Sequence, residues 1–302
     1  MVSKNIPTVF IVRHGERLDH TDKLWQPDPS LGIWDPPITP KGFKQAEKTG
    51  STILEMLRQQ TVDIKTANIV IYSSPFQRCI DTSIAVVKGL RKSKNLTKTP
   101  TLRIDIGLGE WMCERFFDSV CPAQYLMSRQ QEKLARQQAF SYSMLAKKSF
   151  ITPEEEESML PALTIDYAYN NPNQSEFDYP ERYTDMIHRF EDTRLNCLES
   201  CLKLGNKKGQ KDEQQPTVVI FVTHAVGVNA LLDGFRNRVT IPLESNYCSI
   251  SCVRHYNSTV IADSSDQSDE DCEYMQDHDD GFNSPSKPTW LIDTVMYDRH
   301  LL

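Results

Sequence analysis

The chain has 302 residues, 39% hydrophobic and 25% charged, a length that suits one large α/β domain or two smaller ones in an ordinary globular composition. Asp and Glu outnumber Lys and Arg by 41 to 34, and the net charge of −7 argues against direct nucleic-acid binding by bulk electrostatics. No stretch approaches the roughly 18 apolar residues of a membrane span. Residues 1–7 lack the apolar core of a signal peptide, so a cytoplasmic protein is expected, with the nucleus also open.

Val9, Phe10, Ile11 and Val12 predict a buried strand running into Arg13-His14-Gly15-Glu16-Arg17, where the glycine marks a turn. Ligands of open α/β sheets bind beyond the carboxyl ends of strands. An imidazole between two guanidinium groups at such a place points to phosphate chemistry. Guanidinium forks match phosphate oxygens, and their charge biases a histidine toward its neutral, nucleophilic form. The loop over 25–37, rich in proline and tryptophan, is expected to border the site entrance. Thr39 and Pro40 then open a helix as N-cap and first residue, with Phe43, Ala46, Ile53, Leu54 and Leu57 on its apolar face.

A second strand over 69–72 leads through Ser73-Ser74-Pro75 into a helix spanning about 76–90. Arg78 falls in that helix's first turn, where a cation opposes the macrodipole and suits a bound anion better than the helix itself. A third strand, around 102–104, precedes Gly107-Leu108-Gly109-Glu110-Trp111. Residues 112–178 read as an insertion with helical pieces that covers the site, one piece opened by the capping box Thr152-Pro153-Glu154-Glu155. Residues 179–204 form an amphipathic helix marked by Tyr183, Met186, Ile187, Phe190, Cys197, Cys201 and Leu202, and a charged loop follows over 207–215. The strand over 218–222 ends in Thr223-His224-Ala225 before another helix that runs to about Asp233.

Strand, site residue and helix recur, which predicts an α/β fold: a three-layer α/β/α sandwich around a mainly parallel sheet, in a single domain over 1–302. Residues 256–286 hold nine Asp or Glu and no Lys or Arg. An acidic disordered loop is therefore expected over 257–286, with Ser264, Ser265 and Ser268 as candidate phosphoacceptors and the loop as a candidate protein-partner element. None of the eight cysteines forms a C-x-x-C pair, and reduced, buried thiols are expected, with Cys248 and Cys252 sharing one face of a strand. Cys248, Cys252 and His255 fit no common zinc ligand set, and no metal is expected.

Five motifs occur in one order: Arg13-His14-Gly15; Ile38-Thr39 with Gly42, Gln45 and Ala46; Ser74-Pro75 with Arg78-Cys79; Gly109-Glu110-Trp111; and Thr223-His224-Ala225. In this order they resemble the histidine phosphatase superfamily, branch 1, with its phosphoglycerate-mutase-like fold. The resemblance runs from residue 8 to about 300, loosely in 112–178 and not in the acidic loop. The Arg13 to Arg17 stretch is similar to the form in Sts-type phosphatases and their fungal relatives. Mutases usually carry serine and asparagine after the glycine, where this chain has Glu16 and Arg17. Secreted acid phosphatases carry a late His-Asp pair, where this chain has His224-Ala225.

The resemblance implies that His14 is the nucleophile, carrying a phosphohistidine. It implies that Arg13, Arg17, Arg78 and His224 hold phosphoryl oxygens, and that Glu110 serves as general acid and base. Asp105 and Glu114 stay open as rival acids, and Arg17 as a rim ion pair. Trp25, Trp34 and Trp111 are open between an aromatic wall for a ring-bearing substrate and plain packing. His20 and His188 read as solvated or structural. No cofactor is implied, and the expected substrate is a phosphorylated small molecule or a phosphoprotein. Beside a metal-independent phosphomonoesterase stand two other readings: a phosphosugar mutase or bisphosphatase, and a weakly active scaffold binding a partner through the acidic loop.

Overall fold

The structure, a computed structural model, describes residues 6–27, 34–92, 96–120, 122–146, 163–204, 215–255 and 290–302. The capping box at 152–155, the acidic loop at 257–286 and most of the charged loop after residue 204 lie outside the described residues.

Seven strands form one sheet in the order β4-β3-β2-β5-β1-β6-β7. They are β1 (Thr8–Arg13), β2 (Asn68–Ser73), β3 (Thr101–Ile104), β4 (Thr164–Ile165), β5 (Thr217–Thr223), β6 (Ile250–His255) and β7 (Trp290–Tyr297). The strands from β4 to β1 in that order run parallel, β6 is antiparallel to β1, and β7 is antiparallel to β6. Among the described residues the α-helices are α1 (Leu18–Thr21), α2 (Pro40–Gln59), α3 (Gln77–Leu90), α4 (Ala123–Ala146), α5 (Tyr183–Leu204) and α6 (Ala225–Arg236).

Side chains alternate across a strand, so one apolar run feeds two cores. Phe10, Val12, Ile69, Ile71, Ile220 and Val222 meet Ile53 and Leu57 of α2 and Ile80 and Val87 of α3. Their neighbours Val9, Ile11, Val70, Tyr72, Val219 and Phe221 meet Met186 and Phe190 of α5 and Leu231 and Phe235 of α6. The result is the expected three-layer sandwich. Each such buried side chain contributes about 1.5–3 kcal/mol before conformational entropy is subtracted.

Two elements differ from expectation. Helix α5 begins at Tyr183 and not near 179, because the Glu181 N–H donates 2.7 Å to the Met112 carbonyl and the Tyr179 hydroxyl donates to Phe117. Cys248 precedes β6 with φ of 57°, its N–H bonded to the carbonyls of Arg13 and His14 at 3.1 and 3.3 Å. It therefore closes the end of β1 while still packing in the same core as Cys252.

The parallel ladder continues one residue past several strand ends. The N–H of His14 donates to Thr223 (2.9 Å), that of Ser74 to Val222 (3.0 Å) and that of Asp105 to Ser73 (2.9 Å). These bonds bring residues from β1, β2, β3 and β5 to one edge of the sheet. The turn after His14 lies directly on the start of α2. Thr39 accepts from the Gly42 N–H as N-cap and donates its hydroxyl to Glu16 at 3.0 Å, while Gln45 accepts from the Glu16 N–H at 3.2 Å. A Cβ on Gly15 would come within 2.8 Å of the Gly42 carbonyl oxygen, and one on Gly42 within 2.8 Å of the Glu16 carbonyl oxygen.

Gly42→Ala therefore forces two backbones apart. The overpacking cost of about 1–3 kcal/mol exceeds the helix-propensity gain of about 1 kcal/mol. Urea denaturation is expected to show a lower midpoint with an unchanged slope, and an equal or higher midpoint contradicts this packing account.

Candidate active site

At the carboxyl edge of the sheet lies a cleft of about 430 Å³, whose lining includes Arg13, His14, Arg17, Arg78 and Glu110. His14 forms its floor, only 1% exposed. Its Nδ1 lies 2.9 Å from the Gly15 carbonyl oxygen. That oxygen can only accept, which assigns the ring hydrogen to Nδ1 and leaves the Nε2 lone pair unprotonated. Burial holds the His14 pKa well below the ordinary histidine range, and the guanidiniums of Arg78 and Arg13 hold it lower still. The imidazole is thus kept neutral.

Arg78 enters from the first turn of α3 and is 1% exposed. Its Nη2 donates 3.3 Å to Glu110 Oε2, and its Nη1 lies 3.6 Å from Asp35 Oδ1. Its Nε meets no hydrogen-bond acceptor, so this buried guanidinium retains donor capacity. Asp35 in turn accepts from the Gln77 N–H at 2.9 Å, placing a carboxylate at the N-terminus of α3, and from Arg129 of α4 at 3.0 Å. Burial pushes the Asp35 carboxyl upward, against the pull of Arg78.

His224, at the end of β5, is fully buried. Its ring lies edge-on to His14 at 5.4 Å and edge-on to Phe76 at 5.1 Å. Ser74 Oγ is 2.9 Å from Nε2, and Glu110 Oε2 is 3.3 Å from Nδ1. With the serine hydroxyl donating to Nε2, the imidazole presents an N–H on Nδ1 toward Glu110. Burial, then Arg78 and His14, hold His224 well below the ordinary histidine range. Glu110 Oε2 thus sits at 3.3 Å from both a guanidinium nitrogen and an imidazole nitrogen.

Arg13 stacks its guanidinium 4.3 Å from the centre of the Tyr247 ring and donates to the Ser245 carbonyl. Burial without a bonded carboxylate lowers its pKa. Arg17 is held by Asp19 through two bonds of 3.0 and 2.6 Å, and Asp19 also accepts from Trp34 Nε1. Arg17 thus lines the cleft while its guanidinium carries the ion pair with Asp19. Glu16 is turned to α2, bonded to Thr39 and Lys41.

The rival acids are elsewhere. Asp105 lies beneath the floor, accepting from the Gly107 N–H (2.8 Å), Asn171 (2.8 Å) and the Tyr169 hydroxyl (2.5 Å). Glu114 is exposed and outside the cleft lining. Of Trp25, Trp34 and Trp111, Trp34 lines the cleft; Trp25 packs edge-on against it at 4.9 Å. Trp111 faces α5, donating 2.9 Å to the Glu181 carbonyl and packing against Tyr183. His20 belongs to the rim, with Nδ1 2.5 Å from the Tyr247 hydroxyl, and His188 is exposed on α5. Sequence reasoning missed Asp35, Arg115, Phe116, Phe117 and Tyr247, all from irregular segments without periodic signal.

The family model for the histidine phosphatase superfamily, branch 1, matches residues 9–139. An ecdysteroid-phosphate phosphatase of Drosophila melanogaster is 30% identical over 129 residues, covering 34% of this chain and 16% of that protein's own length. The ecdysone phosphate phosphatase of Bombyx mori, solved with tungstate, is 20% identical, covering 90% of this chain and 98% of that one with a TM-score of 0.49. A phosphoglycerate mutase from Bacillus anthracis is 17% identical, covering 83% and 88% respectively with a TM-score of 0.43. Among the described residues, no helix is long and apolar enough to cross a membrane.

Two buried site histidines, and His300 at about 4, lie below the histidine range of the unfolded chain, near 6.5. Between those values the unfolded state binds more protons than the fold, so stability is lost as pH falls below about 6.5. Asp35, with its raised carboxyl, acts in the opposite sense closer to the carboxylate range. Urea denaturation is expected to give a lower unfolding free energy at pH 5 than at pH 7. His14→Asn should flatten that dependence, and equal stability at both pH values contradicts the neutral-histidine assignment.

Proposed function

Because the chain belongs to the histidine phosphatase superfamily, branch 1, we propose that it is a metal-independent phosphatase that hydrolyses phosphomonoesters through a phosphohistidine on His14. The observation that carries this reading is the neutral His14 imidazole, with Nε2 unprotonated, at the floor of a cleft lined by Arg13, Arg17 and Arg78. In the first step Nε2 forms a bond to phosphorus while the ester oxygen leaves with its electron pair, protonated by Glu110. In the second step Glu110 takes a proton from water, whose oxygen displaces the imidazole and releases phosphate. The three arginines and the His224 N–H hold the equatorial oxygens, where charge spreads in the transition state. Asp105 is bonded beneath the floor, which supports Glu110 as the acid.

The outer cleft supports a substrate with a bulky apolar leaving group. Trp34, Phe116, Phe117 and Val226 line it beside the exposed Arg115. The Drosophila relative is by name a phosphatase of ecdysteroid phosphates. A ring-bearing alcohol esterified to phosphate is the matching class, as a free small molecule or a phosphorylated side chain.

Aryl phosphate turnover by the purified protein is expected to fall by about a thousandfold or more in His14→Ala. A phosphoenzyme should be trapped in alkali, where a phosphoramidate survives, and should be absent from the variant. Undiminished turnover in His14→Ala sinks the proposal. On the substrate side, Trp34→Ala is expected to raise KM about tenfold more for a ring-bearing phosphate than for glycerol phosphate, one lost apolar contact amounting to about 1–3 kcal/mol. Equal effects on both substrates remove the apolar-wall reading.

A further inference from the structure

We propose that Arg189, braced by Glu181, is a positioning residue that sets the Glu110 carboxylate over the scissile bond. The inference rests on the reading of Glu110 as the general acid. Arg189 lies on α5, across the sheet layer from α2 and α3, and is 8% exposed. All five of its N–H groups find acceptors. Nε and Nη2 grip the Glu181 carboxylate at 2.7 and 2.9 Å. Nη1 donates to the carbonyls of Gly107 (2.7 Å) and Gly109 (3.2 Å), and Nη2 to that of Glu110 itself (3.2 Å). One guanidinium therefore holds three carbonyls of the loop that carries Glu110.

Glu181 completes the clamp from the other side. Its Oε2 accepts from the Met112 N–H at 3.1 Å, its backbone N–H donates to the Met112 carbonyl at 2.7 Å, and its own carbonyl accepts from Trp111 Nε1 at 2.9 Å. The backbone on both sides of Glu110 is thus fixed to α5 and the segment just before it. The Glu110 side chain crosses the remaining gap to Arg78 and His224. General acid catalysis needs the carboxyl within hydrogen-bond reach of the leaving oxygen, and a misplacement of about 1 Å from a distant change can cost about a hundredfold. A lysine at 189 keeps the charge but replaces the planar fork with a single nitrogen, which cannot hold a carboxylate and three carbonyls in these directions.

The test reads kcat/KM across phosphomonoesters of increasing leaving-group pKa, from p-nitrophenyl to alkyl phosphates, in the full chain. Protonation by an acid matters most for the poorest leaving groups. Arg189→Lys is expected to lose about ten- to a hundredfold on alkyl phosphates and under about threefold on p-nitrophenyl phosphate. Combined with Glu110→Gln, it should cause no further loss, because both changes remove the same step. Glu181→Gln, which keeps the shape and a carbonyl acceptor, should give a smaller loss with the same leaving-group trend, and carries the test if Arg189→Lys does not fold by circular dichroism. A uniform loss across leaving groups, or losses that multiply in the double variant, overturns the inference while a leaving-group trend in Glu110→Gln alone preserves the general-acid reading. No trend in Glu110→Gln removes that reading and this inference together.

Discussion

A guanidinium withdrawn from water must be neutralised by nearby carboxylates or it destabilises the fold, and Arg78 imposes that constraint on everything around the cleft. Glu110 and Asp35 approach it from two different loops, and Arg129 of α4 joins through Asp35. The same buried charge lies among the causes that depress the pKa of both site histidines. One side chain thus gathers Glu110, anchors the proline-rich loop to α3 and adds to the burial that lowers the pKa of two imidazoles. Asp35 also meets the first free N–H of α3, answering the mismatch between a cation in the first turn and the helix dipole.

The two histidines then differ by their partners. The Gly15 carbonyl offers His14 only an acceptor, so its lone pair points away from the backbone on Nε2. His224 has a hydroxyl at Nε2 and a carboxylate at Nδ1. Similar burial therefore leaves the two rings in different company: a backbone carbonyl fixes the tautomer of His14, whereas His224 faces a hydroxyl and a carboxylate.

Strands and long helices were legible because their signal is local. Short continuous apolar runs over 9–12, 69–72 and 218–222 marked the sheet, and Thr39-Pro40 marked the start of α2 with its observed cap. The edge where the site lies followed from the parallel order of those strands. Asp35 and Tyr247 were not legible, since both come from irregular segments whose position is set by what they bond and not by any period. Arg189 left a trace: it stands three residues after Met186 and one before Phe190, a charge inside an apolar stripe. A buried arginine on a core-facing stripe must have acceptors close by, and the loop carbonyls supply them.

The three cleft arginines are neutralised to different degrees, and the difference bears on what the site prefers to hold. Arg17 is matched by the forked contact with Asp19, and Arg78 lies between Asp35 and Glu110. Among the described residues, Arg13 bonds a backbone carbonyl and covers a ring face, with no carboxylate in hydrogen-bond contact, and burial lowers its pKa. An anion entering the cleft therefore relieves Arg13 most. Arg13 and His14 line the same cleft, so an anion that relieves Arg13 is held in the pocket whose floor is His14. By charge alone, a dianionic phosphoryl group gains more from that contact than a monoanion or a neutral ester does. Under the proposed phosphatase reading, the cluster of cations therefore weights the site toward a terminal phosphomonoester over a diester by charge, before any wall of the cleft touches the leaving group.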